Sequence, residues 1–414
     1  MSLAWISLAA LALAVILSCT TTINVGVLSL ALAFLVGVLL NGMTVDAVLA
    51  GFPVSLLITL VGVTLLFSIA DCNGTLERLT SRAVALCRGR AGLLPVMFFG
   101  IGFALATIGA GATPASALLA PPAMAAAGRA GVPPLLMAIM AGNGALAGTL
   151  SPFAPTGIVA NGVMERIGLG GVEWQTYAYN ALAHAIAGIG GFLLLGGWRL
   201  FKSDRTTGPG ATPEAMTTQH WLTLAGIAGL VVSVAGFGVN VGMAALIIAT
   251  TLILLRTVDE SKAIQRMPWG VILMVTGVTV LVAMVEEAKG LELVASGMAS
   301  IATPWTLSPI VAFGTGVVSI YSSTSGVVLP AFLPMVPDLA RQLAVEPLPI
   351  AWSMSVGASL VDLSSLSTVG ALFMAGAAAG TDIRRLFNGL MAWGLSMAVA
   401  GALICWILFG LRSG

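Results

Sequence analysis

The chain has 414 residues, 58 % of them hydrophobic and only 8 % charged, with a net charge of +1. Soluble domains carry about 25 % charged residues, so a chain of mean hydropathy +1.05 cannot cover itself with polar surface and must sit in lipid. Its 17 Lys and Arg are scattered, with no basic aromatic patch, which excludes nucleic acid as an expected partner.

A spanning helix needs about 20 apolar residues. Spans are predicted at 3–19, 22–40 and 53–70. Ile16-Leu17-Ser18-Cys19 faintly resembles a lipoprotein cleavage site, but no basic segment precedes it, so 3–19 reads as a retained helix. In 74–90, Leu76, Leu79, Ala83 and Leu86 recur at helical spacing with Arg78 and Arg82 off that face, the pattern of an interfacial amphipathic helix. Residues 91–127 are apolar but interrupted by Gly109-Ala110-Gly111-Ala112-Thr113-Pro114, which predicts a re-entrant hairpin. Residues 133–165 form a span broken at Leu150-Ser151-Pro152-Phe153-Ala154-Pro155-Thr156-Gly157, and a span at 177–199 follows.

The same order returns. Spans are expected at 220–236, 238–256 and 268–285, then an amphipathic stretch carrying Leu291, Val294, Met298 and Ile301. A hairpin at 306–336 is interrupted by Ser322-Ser323-Thr324-Ser325-Gly326. A broken span at 349–379 is interrupted around Asp362-Leu363-Ser364-Ser365-Leu366-Ser367-Thr368, and a last span covers 385–409. The seam is a cytoplasmic linker at 201–219 holding Lys202, Asp204, Gly208, Pro209, Gly210 and Pro213, so that 1–200 and 220–414 are the two halves.

Short matches tie the halves together. Gly62-Val63-Thr64 recurs as Gly277-Val278-Thr279 at an offset of 215, and Asn24-Val25-Gly26 as Asn240-Val241-Gly242 at 216. Pro121 recurs as Pro334, Leu150-Ser151 as Leu363-Ser364 and Gly157 as Gly370, all at 213. Duplicated halves with interrupted hydrophobic segments in matching places are the signature of secondary transporters. Five crossings per half is odd, so the fold class expected is an all-α polytopic membrane protein of two inverted repeats, each with five transmembrane helices and one re-entrant hairpin.

Charge orients it. With the N-terminus on one side, Arg166, Lys289, Arg341 and Arg412 fall there, and the other thirteen Lys and Arg fall on the opposite face. Positive charge stays cytoplasmic, so both termini are expected outside a bacterial inner (plasma) membrane, with the first hairpin opening from the cytoplasm and the second from outside. Asn73-Gly74-Thr75 fits the glycosylation pattern but falls on the cytoplasmic side. The nine Trp lie largely near span ends and read as interface anchors.

Irregular backbone at membrane depth is tolerated only where protein or a wet cavity covers it. The four interruptions carry Thr113, Ser116, Thr149, Ser151 and Thr156 in half one, and Ser322, Ser323, Thr324, Ser325, Ser364, Ser365, Ser367 and Thr368 in half two. Their broken helices would supply N-termini for anions and free carbonyls for cations. Asp362, inside an apolar segment, costs roughly 2.5–3.5 kcal/mol on insertion scales, which fits a cation ligand or a proton carrier. No Lys or Arg falls within any interruption. An anionic substrate would then need co-bound cations, which favours cation coupling over uniport. His184 lies in a span and could titrate near neutrality, though a lone His in a packed bundle is more often structural. The four cysteines lack metal spacing and read as small core residues. No nucleophile–base–orienter set and no metal motif such as H-E-x-x-H is visible, so neither enzymatic activity nor a cofactor is expected.

This order of elements resembles the ion-transporter superfamily, which includes divalent-anion/sodium symporters, citrate carriers and the large membrane subunit of TRAP transporters. Within it, residues 20–170 resemble the MatC family of dicarboxylate (malonate) carriers. The residues that carry the likeness are Asn24-Val25-Gly26, Gly51-Phe52-Pro53, Leu60-Val61-Gly62-Val63-Thr64-Leu65-Leu66-Phe67, Asn73-Gly74-Thr75-Leu76-Glu77 and Leu150 to Gly157. The resemblance implies an elevator-type carrier of a small dicarboxylate such as malonate, sodium-driven and homodimeric in the membrane lipid. In the sodium symporters each hairpin tip carries Ser-Asn-Thr; here the tips read Gly111-Ala112-Thr113 and Ser323-Thr324-Ser325, both without the asparagine. By position, Gly111 and Thr113 with Gly148 and Thr149 correspond to one cation site, and Ser323, Thr324 and Ser325 with Asp362 and Ser364 to the other. Substrate would touch Thr113, Ser151, Thr156, Ser323, Thr324, Ser365, Ser367 and Thr368. Two other readings stand beside sodium symport: a proton-coupled organic-anion carrier, and a TRAP-like permease subunit that requires partner proteins.

Overall fold

The computed structural model describes residues 3–20, 23–86, 91–202, 215–378 and 380–412. Among them the regular structure is helical throughout. Most of the expected linker, with Asp204, Gly208, Pro209, Gly210 and Pro213, lies outside the described residues, as do Cys87, Arg88, Arg90 and Arg205.

The first half opens with α1 (Leu3–Thr20), α2 (Val25–Phe34, continued by a π-helical turn Leu35–Leu40), a short α3 (Val45–Leu49) and α4 (Val54–Cys72). The amphipathic α5 (Thr75–Leu86) leads to the hairpin, whose arms are α6 (Leu93–Leu105, with a π-helical end Ala106–Ala110) and α7 (Ala112–Ala130). The broken span is α8 (Pro134–Ala147) and α9 (Pro155–Arg166), followed by α10 (Glu173–Leu194).

The second half runs α11 (Thr218–Phe237), α12 (Val241–Leu254), a short α13 (Glu260–Arg266), α14 (Trp269–Glu287) and the amphipathic α15 (Gly290–Ile301). Its hairpin is α16 (Pro304–Tyr321) and a return arm assembled from a π-helical turn (Thr324–Val328), α17 (Leu329–Phe332), a 3-10 turn and α18 (Val336–Leu343). The broken span is α19 (Pro347–Leu360) and α20 (Thr368–Ala375), and α21 (Ile383–Leu408) ends the chain of long helices. Among the described residues, five helical stretches are long and apolar enough to cross a bilayer: Val54–Cys72, Leu93–Ala110, Glu173–Leu194, Trp269–Glu287 and Ile383–Leu408. The chain is a multi-pass membrane protein.

Differences from the sequence expectation have local causes. α3 and α13 escape a hydropathy reading because they are short, α13 being polar besides; each starts on a side-chain cap, Thr44 accepting from the Ala47 N–H and Asp259 from the Lys262 N–H. The span expected at 177–199 is shifted to Glu173–Leu194: its first turn is polar, and it stops before Gly196, whose φ of +74° ends a helix readily. The return arm of the second hairpin continues to Leu343 rather than stopping at 336, and Pro330, Pro334 and Pro337 explain its irregular path. Cys405 is buried, but Cys72 is exposed and is not the core residue expected of it.

Two close crossings set the packing of the outer helices. α2 lies on α14 through Gly26 and Gly277: a Cβ on Gly277 would stand 2.1 Å from the Gly26 carbonyl oxygen. α4 lies on α12 through Gly62 and Gly242: a Cβ on Gly62 would stand 2.5 Å from the Gly242 carbonyl oxygen. The repeated Asn-Val-Gly of each half thus meets the repeated Gly-Val-Thr of the other. Asn24 reinforces the first crossing by donating to the Gly270 carbonyl at 2.8 Å. A second pair of matched contacts holds each hairpin to its broken span. Gly144 of α8 abuts the Phe99 backbone of α6, and Gly357 of α19 abuts the Ala312 backbone of α16.

Candidate functional site

The site follows from where the chain must stop being helical. Gly109 and Gly111 take φ of +122° and +77°, which ends α6 and turns the chain into α7. Ser323 turns the second hairpin, its hydroxyl accepting from the Gly326 N–H at 3.0 Å. α8 and α19 end alike: the N–H of Thr149 reaches back to the Leu146 carbonyl, and that of Asp362 to the Ser359 carbonyl, each at 3.1 Å. α9 restarts with Pro155 in its first turn, and α20 restarts on Ser367, which caps the Gly370 N–H at 3.1 Å.

Both tips and both breaks converge on one cavity of about 280 Å³. Thr113 of the first tip and Thr149 and Thr156 of the first break face it. So do Ser322, Ser323, Thr324 and Ser325 of the second tip and Asp362, Ser367 and Thr368 of the second break. Leu146, Ile320, Leu366 and Val369 form its apolar wall. Asp362 is the one charged side chain among the described residues that line it, and no Lys or Arg does.

Asp362 is held from one side. The Thr324 hydroxyl lies 2.7 Å from both carboxylate oxygens, and the Ser319 hydroxyl donates to Oδ1 at 3.1 Å. Ser319 and Thr324 also contact each other. Each hydroxyl oxygen keeps lone pairs beyond the proton it donates, so this cluster presents carboxylate and hydroxyl oxygens together, the donor set of a hard cation. Ser319 was not singled out in the sequence; its only signal is a hydroxyl five residues before Thr324 in an apolar helix.

The remaining candidates stand behind the cavity wall. Ser151 is fully buried and donates to the Thr107 carbonyl at 2.7 Å, while Thr107 also meets the Tyr177 hydroxyl at 3.0 Å. Gly148 packs on Ala106 and Thr107, and Gly111 on Pro155. Ser364 and Ser365 are buried with hydroxyls that meet no partner among the described residues, and Ser364 is pressed against Gly394.

A second polar cluster lies deeper, also missed in the sequence apart from His184. His184 and Asn180 of α10 are fully buried between α8 and α19. His184 Nδ1 pairs with Asn143 Oδ1 at 3.0 Å and Nε2 with the Ser359 hydroxyl at 3.2 Å. Ser359 donates to Asn180 Oδ1 at 2.6 Å, and Asn180 Nδ2 donates to the Leu146 and Ala147 carbonyls at 2.9 and 3.1 Å. The Ala147 carbonyl is one of those the α8 C-terminus leaves without an intrahelical partner, and the Leu146 carbonyl accepts from Asn180 in addition to the Thr149 N–H. The cluster therefore closes one broken helix end and ties it to the other.

Comparisons with known proteins agree with this architecture. The chain is similar to the Alcanivorax borkumensis YdaH transporter, described in its crystal structure as having an unusual topology, with a TM-score of 0.61 and 14 % identity over 91 % of this chain and 89 % of that one. At that identity the likeness is one of fold. No curated protein sequence matches the chain. Residues 1–149 match the model of the dicarboxylate carrier protein MatC N-terminus. The MatC resemblance read from the sequence is shown over residues 1–149.

Proposed function

We propose that the chain is a secondary active transporter of a small dicarboxylate such as malonate, coupled to sodium and working by an elevator-type alternation of two inverted repeats. The observation that carries this is the cavity of about 280 Å³ where both hairpin tips meet both helix breaks. Its walls offer hydroxyls for carboxylate oxygens on every side and one carboxylate, Asp362, with no resident cation from the protein. A dianion beside Asp362 is unfavourable unless a bound cation lies between them. Coupling thus follows from the charge balance of the pocket. The match of residues 1–149 to a dicarboxylate carrier model supports a dicarboxylate as the substrate class.

The inverted duplication is supported by the reciprocal crossings of Gly26 with Gly277 and of Gly242 with Gly62, which a twofold axis in the membrane plane would generate. Re-entrance of the hairpins is supported by their tips meeting the midpoints of broken spans. The test is counterflow by the purified chain in liposomes, with two- to six-carbon acids, with and without sodium. Sodium-dependent exchange of malonate or a close relative is the expected result. Exchange that ignores sodium but follows pH points to a proton in its place. No exchange until partner proteins are added would favour a permease subunit and overturn the proposal.

A further inference from the structure

The two halves of the pocket are related in register but not in chemistry. An offset of 213 maps the Phe99–Gly144 contact onto Ala312–Gly357, and the Thr149 turn onto the Asp362 turn. The same offset maps Ser319 and Asp362 onto Ala106 and Thr149, and the alignment of the two tips sets Thr324 opposite Ala112. In the first half the carboxylate has become a hydroxyl, and both hydroxyls have been lost.

The carbonyls that could have made up the deficit are occupied. Asn180 donates both of its amide hydrogens to the Leu146 and Ala147 carbonyls, and its own carbonyl is fixed by Ser359. The residue at the matching place in the second half is Trp393, whose indole N–H meets no acceptor among the described residues. A cation there would compete for carbonyl lone pairs with the Asn180 amide and, at the Leu146 carbonyl, with the Thr149 N–H as well. The first break therefore offers a cation no carboxylate, and its Leu146 and Ala147 carbonyls are already shared, whereas the second keeps the Asp362 carboxylate and the Thr324 hydroxyl at the cavity with Ser319 behind them.

Resting on the carrier reading above, we propose that the protein takes one coupling cation per substrate, bound at Asp362, Thr324 and Ser319. The first-half hydroxyls Thr113, Thr149 and Thr156 serve the anion alone. The two cation sites implied by family position reduce to one. A dianion accompanied by one monovalent cation moves a net negative charge, so an inside-negative potential opposes uptake. Two cations would make the step neutral, and three would make that potential drive it.

The experiment uses the full chain in liposomes, with malonate as the probe and the potential clamped by a potassium gradient and valinomycin. Sodium is titrated at fixed pH, and a proton gradient is imposed in a parallel arm to separate the two cations. The expected result is a cation dependence with a Hill coefficient of about 1 and uptake slowed by an inside-negative potential. Asp362→Asn should lose the cation stimulation altogether. A Hill coefficient near 2, uptake indifferent to or driven by that potential, or saturable cation stimulation surviving in Asp362→Asn overturns the single site. The first two readouts need only the native chain, so a misfolded variant leaves the test intact. If no acid of the panel is exchanged at all, the carrier reading itself fails; if acids accumulate with two cations, only the stoichiometry does.

Discussion

The Gly277 Cα lies so close to the Gly26 backbone that a single added methyl would stand 2.1 Å from the Gly26 carbonyl oxygen. That contact joins the second helix of one half to the third long helix of the other, and nothing but glycine fits there. Gly277→Ala should therefore push α2 off α14. Overpacking of this kind costs about 1–3 kcal/mol. The expected outcome is a lower midpoint in thermal unfolding of the detergent-solubilised protein. An alanine of undiminished stability would show that the crossing is looser than described.

Thr324 and Asp362 permit a sharper test. Thr324→Val keeps the shape of the side chain but removes the hydroxyl that spans both carboxylate oxygens. Asp362 would retain only Ser319. Losing one partner of a buried charged group costs about 1–3 kcal/mol. Because the hydroxyl oxygen is also a proposed cation ligand, half-saturation by the coupling cation should rise on the order of tenfold. The half-saturation for malonate, read at saturating cation, should move far less.

Ser151 and Thr156 sit five residues apart yet face opposite ways. Thr156 lines the cavity, whereas Ser151 is spent on the Thr107 carbonyl behind it. Thr156→Val is expected to weaken malonate binding severalfold with little loss of stability. Ser151→Ala should do the reverse, leaving a buried carbonyl short of a donor at a cost of about 1–3 kcal/mol. Paired uptake titrations and melting curves of the two variants check this. Equal losses of malonate affinity would contradict it.

The hairpins make a prediction about sidedness. With the exposed Cys72 replaced, Thr113→Cys should react with a membrane-impermeant thiol reagent from the cytoplasmic side, and Ser325→Cys from outside. Excess malonate with sodium should protect both. Labelling of both positions from one face only would rule out oppositely directed hairpins.

His184 bridges Asn143 and Ser359, and so joins α8 to α19 through α10. His184→Ala strands Asn143 Oδ1 in a dry interior, and destabilisation of about 1–3 kcal/mol is expected. His184→Gln, which can reach one of the two partners, should recover part of it. Chemical denaturation in detergent, followed by helix content, measures the difference.

Much of the architecture was legible in the sequence because hydropathy and backbone punctuation are local. Gly109, Gly111, Pro155 and the serines of 322–325 announce broken helices wherever they fall, and the cavity forms where those breaks meet. α3 and α13 were not legible, being too short to stand out by hydropathy, and α13 polar besides. The start of α10 at Glu173 was hidden for a related reason: a helix cap can be polar while the span behind it is apolar. Asn180 and Ser319 gave no signal either, since their importance lies in partners 33 and 43 residues away along the chain.

The sequence alone determined that this chain lives in lipid, and it marked four interruptions carrying hydroxyls and one aspartate as the candidate places for chemistry. Composition, periodicity and helix-breaking residues act within a few positions and can be read in order. Only the tertiary structure decided which hydroxyls share a cavity with Asp362 and which are consumed as props, as Ser151 is by Thr107. Whether a hydroxyl faces a pocket or a carbonyl depends on which distant helix packs behind it, and that is set by crossings such as Gly26 on Gly277 that no single segment encodes.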